Sequence, residues 1–447
     1  MVDPKLSLVE SAPSLLPEGL TTLDILLPDS NGVLRGKRLT GPEPQRAWRG
    51  GIALPGSMFS LDLEGHQAAL RDCEHNAGDR DYICRPVAGP ARQLPWLGPD
   101  SAQCLLEMYG DDAALLPVSP RAVLARCTER LAARELTARV AIELEFYLFD
   151  GAAGADMRPQ LARNPRSGER ELAARVYDTA VVDDFSAFLA TAREWAAAMD
   201  LPITALQAEY GPGQFELNLA FADDPLAACD DALLFKRLVK QAALKHGFRA
   251  SFMARPRADC PGSGLHVHVN LLTAGDDNLF SRQPDSMRHA IGGLQQHLDD
   301  TLLLFAPHAN SYRRLSAAEF VPHDRHWAHN DRRAAIRVPA AIGPEAVRLE
   351  HRVAGADANP YLAMAAVLAG IVSGLEDRIA PGMEGAPSRP FQDSWQAARE
   401  TFTSSAWVGE YLGEEFRANF AALKHSEQVK FNQVVTATEL DWGLDTV

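Results

Sequence analysis

Four segments of the chain alternate apolar and polar residues, and their polar positions carry nearly the same residue types. Successive side chains of a β-strand point to opposite faces, so residues i and i+2 share a face. In the segment 140–146, one face is apolar and the other holds Glu143 and Glu145. The segments 214–219, 265–271 and 348–352 repeat this alternation, with polar positions Gln214, Glu216, Asn218, His266, His268, Asn270, Arg348, Glu350 and Arg352. The pattern therefore predicts four strands, each with one polar face.

Two interpretations fit these polar faces. An antiparallel sheet with one solvated face gives the same alternation, and such sheets are common. A solvated face usually draws on Lys, Thr, Ser and Gln, whereas these faces are dominated by Glu, His and Arg and contain no Lys. We therefore favour a shared cavity with metal and anion chemistry, because clusters of titratable groups are typical of functional sites.

The residue types narrow the chemistry of this cavity. Several carboxylates with one or two imidazoles form an oxygen-rich site, which suits Mg²⁺ or Mn²⁺ better than Zn²⁺. Arginines offer planar forks for carboxylate and phosphate, although a surface ion pair is their commoner role. The candidates are Arg313, Arg314, Arg332, Arg333, Arg337, Arg348 and Arg352. A divalent metal with arginines is the general equipment of phosphoryl transfer. No GxxxxGK[ST] or GxSxG motif occurs, so a P-loop and a nucleophile elbow are excluded.

The charge balance excludes other classes of protein. The chain has 44 Lys and Arg against 59 Asp and Glu, a net charge of −15. This argues against nucleic-acid binding and against a polybasic membrane role. The first residues lack a signal-peptide pattern, and the apolar run 361–375 is shorter than the about 20 residues of a membrane span. Asn359 and Pro360 instead predict the start of a buried core helix. Scattered cysteines without CxxC spacing favour reduced thiols, so we expect a cytoplasmic protein.

The distribution of turns and periodic segments predicts two domains. Residues 1–112 are rich in short strands and in Gly and Pro, which indicates a small β-rich domain. Residues 113–447 interleave strands with helices, which indicates an α+β catalytic domain. We expect helices at 119–133, 184–199 and 226–247 and from 359 onward, and a long polar loop at 151–177.

Seven short segments, taken in this order and spacing, resemble the glutamine synthetase superfamily, and most of all its γ-glutamylpolyamine and γ-glutamylmonoamine synthetase branch. They are NGVLRGK (31–37), ELEF (143–146), EYGPGQFE (209–216), GSGLHVH (262–268), NSYRRL (310–315), RRAAIRVP (332–339) and NPYL (359–362). The resemblance implies a β-grasp-like N-terminal domain and a catalytic domain with a split antiparallel barrel and surrounding helices. It also implies a homo-oligomer, expected to be a dodecamer with active sites between subunits.

The resemblance implies a reaction in which ATP phosphorylates the γ-carboxylate of glutamate and an amine then displaces phosphate. It implies two or three Mg²⁺ or Mn²⁺ ions in each site. The first metal's ligands would be Glu145, Glu209 and Glu216, and the second's would be Glu143, His266 and Glu350. Gly262 and Arg314 would hold glutamate. Arg332, Arg337 and Arg352 would stabilise the transferring phosphoryl group. The nucleotide contacts would be Phe221, His268, Asn270 and Arg348.

The chain departs from glutamine synthetases where those enzymes bind ammonium. A flap glutamate is replaced by Phe320, and an acidic residue of a neighbouring subunit's loop is replaced by Ser60. Losing both anionic partners should weaken ammonium binding, whereas a phenylalanine suits an alkyl chain. We therefore expect glutamate to be joined to an organic amine. Pro261 also replaces an asparagine that contacts substrate in the family, so one glutamate contact is in doubt.

Alternatives remain open at this point. A shift of one residue would let Glu319 act as the flap acid, and the chain would then be a glutamine synthetase that uses ammonium. The chain could also be a non-catalytic oligomeric paralogue, although all six expected metal ligands are present. The amine is not specified: a polyamine should prefer a distant acidic patch, for which Asp62, Glu64 and Glu319 are candidates.

Overall fold

The strands form two sheets in a computed structural model that describes residues 16–68, 78–151, 159–170, 172–316 and 320–446. The first sheet has six strands in the order β2-β1-β6-β4-β3, with β5 paired to β6. Its elements are β1 (Thr22–Pro28), β2 (Leu34–Thr40), α1 (Glu43–Gly50), β3 (Ile52–Pro55), β4 (Asp81–Pro86), β5 (Arg92–Gln93) and β6 (Ser101–Tyr109). Strand β1 pairs antiparallel with β2 and parallel with β6. This arrangement is the β-grasp-like one that the sequence predicted.

The second sheet has eight strands in the order β12-β13-β14-β11-β7-β9-β8, with β10 paired to β7. They are β7 (Leu136–Asp150), β8 (Ile203–Ala208), β9 (Gln214–Leu219), β10 (Phe248–Ser251), β11 (Leu265–Thr273), β12 (Trp327–His329), β13 (Ile336–Val338) and β14 (Leu349–His351). Neighbouring strands are antiparallel except β12 and β13, which are parallel. With that one exception the expected antiparallel barrel strands are present, and the α+β class is confirmed.

Helices accompany the second sheet and fill the C-terminal part of the chain. They are α2 (Pro120–Ala132), α3 (Thr179–Asp184), α4 (Ser186–Ala198), α5 (Pro225–Lys245), α6 (Leu279–Arg282), α7 (Pro284–Gln296), α8 (Leu298–Phe305), α9 (Ala309–Leu315), α10 (Pro360–Glu376), α11 (Trp395–Ser404), α12 (Ala406–Leu412), α13 (Glu414–Asn432) and α14 (Ala437–Gly443). The predicted helices at 119–133 and 226–247 correspond to α2 and α5. The helix predicted at 184–199 is α4, and the short α3 before it was not predicted.

Helix α10 is the core helix of the protein. The Asn359 side chain accepts a hydrogen bond from the Tyr361 backbone N–H, and Pro360 occupies the first turn, as the sequence predicted. The helix is long and apolar enough to cross a membrane by composition, but 83% of that window is buried inside the protein. It packs against α2, α5 and α7, so its hydrophobicity is explained by the core.

The apolar face of β7 packs in the main hydrophobic core. Val140, Ile142, Leu144 and Phe146 belong to one large hydrophobic cluster together with side chains of α5 and α10. Burying each such side chain contributes about 1.5–3 kcal/mol relative to exposure. This excludes a shift by one residue, which would turn the polar face of the strand into the core. The alternation in the sequence therefore decides which face of β7 is left for a polar site.

The hairpin between β1 and β2 ties the first sheet to the C-terminal helices. Gly32 has a φ of 74°, and a Cβ there would lie 3.4 Å from the Cα of Asn359. Asn31 at the same tip donates to Glu427 at 2.7 Å, and the Asn359 amide donates to the Asp29 carbonyl at 3.1 Å. Strand β6 ends at Tyr109 and α2 begins at Pro120. The division into residues 1–112 and 113–447 remains our proposed domain boundary.

Candidate active site

The polar faces of β7, β9, β11 and β14 meet because strand pairing puts their polar positions opposite one another. The opposed pairs are Glu143–His266, Glu143–Asn218, Glu145–Glu216, His268–Glu350 and Arg337–Glu350. Directly opposed residues bring their side chains into contact range. The pairing therefore joins the four polar strand faces into one continuous polar surface. Glu216, His266 and Glu350 on this surface are buried, so the interpretation as a solvated sheet face does not hold for them.

Two groups of side chains on this surface could each hold a metal ion. The ligand atoms of Glu143, Glu216 and His266 lie within 4.8 Å of one another, and so do those of Glu143, His268 and Glu350. The Nδ1 atom of His266 is 3.2 Å from Glu143 Oε2, and its Nε2 atom is 3.8 Å from Glu145 Oε1. Carboxylate oxygens with a minority of imidazole nitrogens suit a hard divalent cation, so the residues present fit Mg²⁺ or Mn²⁺.

Two glutamines connect the remaining carboxylates to this group. The Gln207 amide donates to Glu209 at 3.1 Å and to Glu216 at 2.9 Å. The Gln214 amide donates to Glu145 at 3.2 Å and to the Gly262 carbonyl at 3.0 Å. All six expected metal ligands thus lie in one cluster. The polar alternation of β9 had already indicated Gln214 as a site residue. No motif or polar alternation in the sequence indicated Gln207.

Carboxyl groups crowd together on one side of the cluster. Burial, together with the carboxylates of Glu143, Glu145 and Glu209, raises the pKa of Glu216 to about 10. Burial and the neighbouring Glu145 raise the pKa of Glu209 to about 7. No cationic side chain of the described residues forms an ion pair with these two carboxyl groups, and a divalent metal ion would supply the missing positive charge.

The opposite side of the cluster is already rich in positive charge. Burial would raise the pKa of Glu350, but Arg352, His268 and His266 lower it to about 2. Burial would also raise the pKa of Glu143, but His268 and His266 hold it well below its ordinary value. Both carboxylates therefore stay ionised.

Gly264 leaves a small space in the middle of the cluster. A Cβ at this position would lie 2.8 Å from His266 Nε2, 3.0 Å from Arg314 Nη2 and 3.3 Å from Glu145 Oε1. The backbone N–H of Gly264 donates to Glu145 at 2.8 Å. The absence of a side chain is therefore what allows the three polar groups to face a common point. Gly264 lies in the GSGLHVH segment, but the family resemblance implied a role only for Gly262.

Arg314 is a buried cation, only 4% exposed. Its guanidinium donates to the carbonyls of Val353 at 2.8 Å and Arg352 at 3.3 Å. Within the described ranges, no carboxylate lies within ion-pair distance of it. Gly262 packs against its stem, since a Cβ there would lie 2.6 Å from Arg314 Cγ. A buried charge normally has a partner, so this arrangement calls for an anionic ligand.

The other predicted arginines differ in how they are held. Arg337 donates to Glu350 at 2.7 Å, and Arg352 donates to the second oxygen of the same carboxylate. Glu350 therefore fixes both guanidinium groups beside the cluster. Arg332 is exposed, and its contact with Arg352 is made by its backbone carbonyl at 3.1 Å. Arg337 and Arg352 are therefore held together by one carboxylate, whereas Arg332 lies at the surface.

The four predicted nucleotide contacts lie in one region around His268. Arg348 donates to His268 Nδ1 at 3.2 Å, and the ring of the exposed Phe221 lies 6.3 Å from the imidazole. The Asn270 amide donates to the Glu345 carbonyl at 3.3 Å. The Oδ1 atom of Asn270 is buried and accepts no hydrogen bond from the described residues. His268 was expected only as a nucleotide contact, but it also lies among the possible metal ligands.

Phe320 contacts Tyr210, the residue that follows Glu209 of the cluster. The two ring centroids are 5.4 Å apart at 39°. Tyr210 directly follows Glu209, and its backbone N–H lies 3.2 Å from the Glu209 carboxylate. Sequence reasoning missed Tyr210 as a site residue, although it stands inside the EYGPGQFE segment. Glu319, the alternative flap acid, lies outside the described residues.

The two other departures, Ser60 and Pro261, and the acidic-patch candidate Asp62 make ordinary structural contacts within this chain. Ser60 is buried and donates to Asn419 at 2.9 Å. Asp62 pairs with Lys430 and accepts backbone hydrogen bonds from Glu64 and His66. The Pro261 carbonyl accepts a hydrogen bond from the Tyr147 hydroxyl at 2.9 Å.

Comparison with known proteins supports the resemblance found in the motifs. Residues 117–443 match the family model for the glutamine synthetase catalytic domain. The chain is 36% identical over 437 residues to gamma-glutamylputrescine synthetase PuuA of Escherichia coli (strain K12), covering 94% of this chain and 91% of that protein. It is 28% identical to glutamate–isopropylamine ligase of a Pseudomonas species, with 94% of each chain covered. A solved structure of apo GmaS superposes with a TM-score of 0.81 at 26% identity, covering 96% of this chain and 97% of the other. The chain therefore belongs to the glutamine synthetase family.

Proposed function

We propose that the protein joins the γ-carboxylate of glutamate to an organic amine in an ATP-dependent ligation through a γ-glutamyl phosphate. The observation that carries this proposal is the cluster of six carboxylate and imidazole side chains beside the buried Arg314, which has no anionic partner among the described residues. Phosphoryl transfer depends on positioning and on neutralising charge, and the cluster offers both. Two relatives are named as ligases or synthetases that join glutamate or a γ-glutamyl group to putrescine or isopropylamine, which supports an organic amine.

The metal ligands divide into two sets in this proposal. Glu145, Glu209 and Glu216 hold one Mg²⁺ or Mn²⁺, and the crowding that raises the pKa of Glu216 and Glu209 favours a cation there. The second set holds the other ion. Its members are Glu143, His266 and Glu350. When bound, these ions neutralise the charge of the phosphates. A third ion in each site is part of the proposal carried over from the resemblance.

Arg314 and Gly262 bind glutamate in this proposal. The buried guanidinium lacks an anionic partner among the described residues, and a carboxylate of glutamate matches its planar fork. The backbone at Gly262 packs directly on the arginine stem, because a side chain there would collide with it. Together they place the substrate beside Gly264 and the metal ligands.

The arginines and the His268 region serve the phosphoryl group and the nucleotide. Arg337 and Arg352 are held by Glu350 before substrate arrives, so their charges are preorganised to stabilise the transferring phosphoryl group. The exposed Arg332 is free to approach the same group. The nucleotide contacts are Phe221, His268, Asn270 and Arg348. The unpartnered Oδ1 of Asn270 supplies an acceptor for a ligand donor.

Organic amines should be used with a kcat/KM at least about tenfold above that of ammonium. The reason is that Phe320 occupies the place of an anionic partner for ammonium and offers an apolar surface instead. The measurement is phosphate release with glutamate, ATP and Mg²⁺ across ammonium, methylamine, isopropylamine, ethanolamine and putrescine. Efficient turnover with ammonium and none with organic amines would contradict the proposal and favour glutamine synthetase. ATP binding without phosphate release from any amine would favour a non-catalytic paralogue.

Removing divalent cations should destabilise the protein more in weakly alkaline than in acidic solution. In the metal-free fold the pKa of Glu209 is raised to about 7 and that of Glu216 to about 10, from an ordinary value of 4.5. The unfolded chain releases these protons first, so metal-free stability falls as the pH rises from about 4.5 upward. Bound cations replace the protons and cancel this loss.

The matching measurement is thermal unfolding with a chelator or with excess Mg²⁺. We expect a Tm difference of about 5 °C near pH 8 and a smaller one near pH 5. A difference that is equal at both pH values, or larger in acid, would show that these carboxyl groups do not hold the cation.

We propose that the protein acts as a cytoplasmic homo-oligomer, a dodecamer with active sites between subunits, with neither nucleic-acid nor membrane partners. The described cysteines are buried and free, which suits a reducing compartment. Side chains near the C-terminus such as Trp442, 76% exposed, and Leu444 offer apolar surface to another copy.

A further inference from the structure

Tyr210 and Phe320 form an aromatic pair, and Tyr210 directly follows Glu209 of the carboxylate cluster. The pair joins two separate segments of the chain, since Tyr210 lies between β8 and β9 whereas Phe320 lies between α9 and β12. Both side chains stay accessible, with 41% of Tyr210 and 38% of Phe320 exposed. Each ring therefore keeps surface available for a ligand.

Phe320 is held in an unusual backbone conformation. Its φ is 67°, in the left-handed region that bulky residues rarely adopt. Such strain costs of order 1–3 kcal/mol and persists where the surroundings determine it, often at ligand-binding sites. The ring contact with Tyr210 is one such determinant, because it fixes the direction in which the phenyl ring points.

The position of Tyr210 decides what the pair can contact. Its backbone is one peptide bond from Glu209, a proposed metal ligand whose carboxylate shares Gln207 with Glu216. An amine whose nitrogen reacts beside these carboxylates must direct its carbon chain away from them. The aromatic pair offers an apolar surface that begins at the residue following Glu209.

We infer that Tyr210 determines amine specificity by packing, with Phe320, against the carbon chain of a primary aliphatic amine. This inference rests on the proposed function and deepens it by assigning recognition of the chain, as distinct from the reacting nitrogen. Two rings give an apolar contact at low conformational cost. A second ammonium group at the far end of the chain, as in a diamine, is attracted by the same ring faces.

The test is a series of straight-chain amines from methylamine to butylamine, together with putrescine, on full-length protein with saturating glutamate, ATP and Mg²⁺. In the wild type, KM should fall as the chain lengthens, because each added methylene is buried on the rings. In Tyr210→Ala we expect this dependence to flatten and the KM for butylamine and putrescine to rise about tenfold. The kcat and the KM values for glutamate and ATP should change by less than about twofold.

Two further variants keep the test decisive. Tyr210→Phe retains the ring and should behave as the wild type. Leu244→Ala, an exposed apolar residue at the end of α5, is the matched control and should leave every constant unchanged. If Tyr210→Ala aggregates, Tyr210→Ser replaces it, with the same flattening expected.

The outcomes separate this inference from the proposed function. If the wild type uses organic amines but Tyr210→Ala keeps their KM and chain-length dependence, the inference is wrong and the proposed function stands. If the KM for glutamate or ATP rises as much as that for the amine, Tyr210 has a structural role and the inference is also wrong. If the wild type accepts only ammonium, the inference about Tyr210 and the proposed function are both wrong.

Discussion

Replacing Glu216 by glutamine should reduce kcat by about 10³-fold or more while leaving fold and assembly intact. Glu216 Oε1 accepts the Gln207 amide at 2.9 Å, and a glutamine side chain keeps that acceptor, so the local hydrogen bonding survives. What is lost is an anionic oxygen among the proposed metal ligands. The activity is measured as phosphate release and the assembly as molar mass in solution.

The same substitution should stabilise the metal-free protein near pH 8 by about 1 kcal/mol or more. The sign follows from the pKa of Glu216, which burial and three neighbouring carboxylates raise to about 10. A carboxyl group with a raised pKa in the fold costs stability above its ordinary pKa, and the neutral amide removes that cost. Loss of activity with gain of metal-free stability is the signature of a ligand, since a structural residue would lose both.

The matched control for this experiment is Glu194→Gln. Glu194 is an exposed residue of α4, away from the polar surface of the second sheet. Its variant should keep full activity and an unchanged response to Mg²⁺. A Glu216→Gln enzyme with wild-type turnover would refute the assignment of this residue as a metal ligand.

Replacing Gly264 by alanine should lower kcat/KM by about 100-fold through geometry alone. The added Cβ would lie 2.8 Å from His266 Nε2 and 3.0 Å from Arg314 Nη2. One of these groups must move, yet Arg314 is held by two backbone carbonyls and His266 by Glu143. The substitution adds no charge, so any effect reports the position of neighbouring groups.

Gly275→Ala is the control for the general cost of losing a glycine. A Cβ at Gly275 meets no atom closer than 3.8 Å, in the turn after β11. It should therefore retain wild-type kinetics. Equal activities of the Gly264 and Gly275 variants would show that the space beside His266 and Arg314 is not used by substrate.

Much of the site could be read from side-chain alternation along single strands. Glu143 and Glu145, like His266 and His268, are two residues apart, so the period of a strand places each pair on one face whatever the rest of the fold does. The apolar partners of the same segments, such as Val140 and Ile142, then fix which face is buried. The start of α10 at Asn359 and Pro360 also depends only on neighbouring residues in the sequence, and the structure confirms it.

Other features depend on contacts between segments distant in the sequence. Strand register sets Glu216 opposite Glu145 and Glu350 opposite His268, and no local pattern specifies register between strands. The closeness of His268 to Glu143 and Glu350, the bridging role of Gln207, the empty space at Gly264 and the ring contact of Tyr210 with Phe320 all follow from that packing. The parallel pairing of β12 and β13 was likewise not foreseen.

The residue chemistry, the faces of the strands and the family resemblance could all be inferred from the sequence, because they depend on residue identity and on short-range periodicity. Folding in three dimensions was needed to show which carboxyl groups crowd together, which arginines are already paired and that Arg314 is buried without an anionic partner among the described residues. Charge interactions and steric exclusion act over a few ångströms in space, whereas most of the groups concerned lie tens to hundreds of residues apart along the chain.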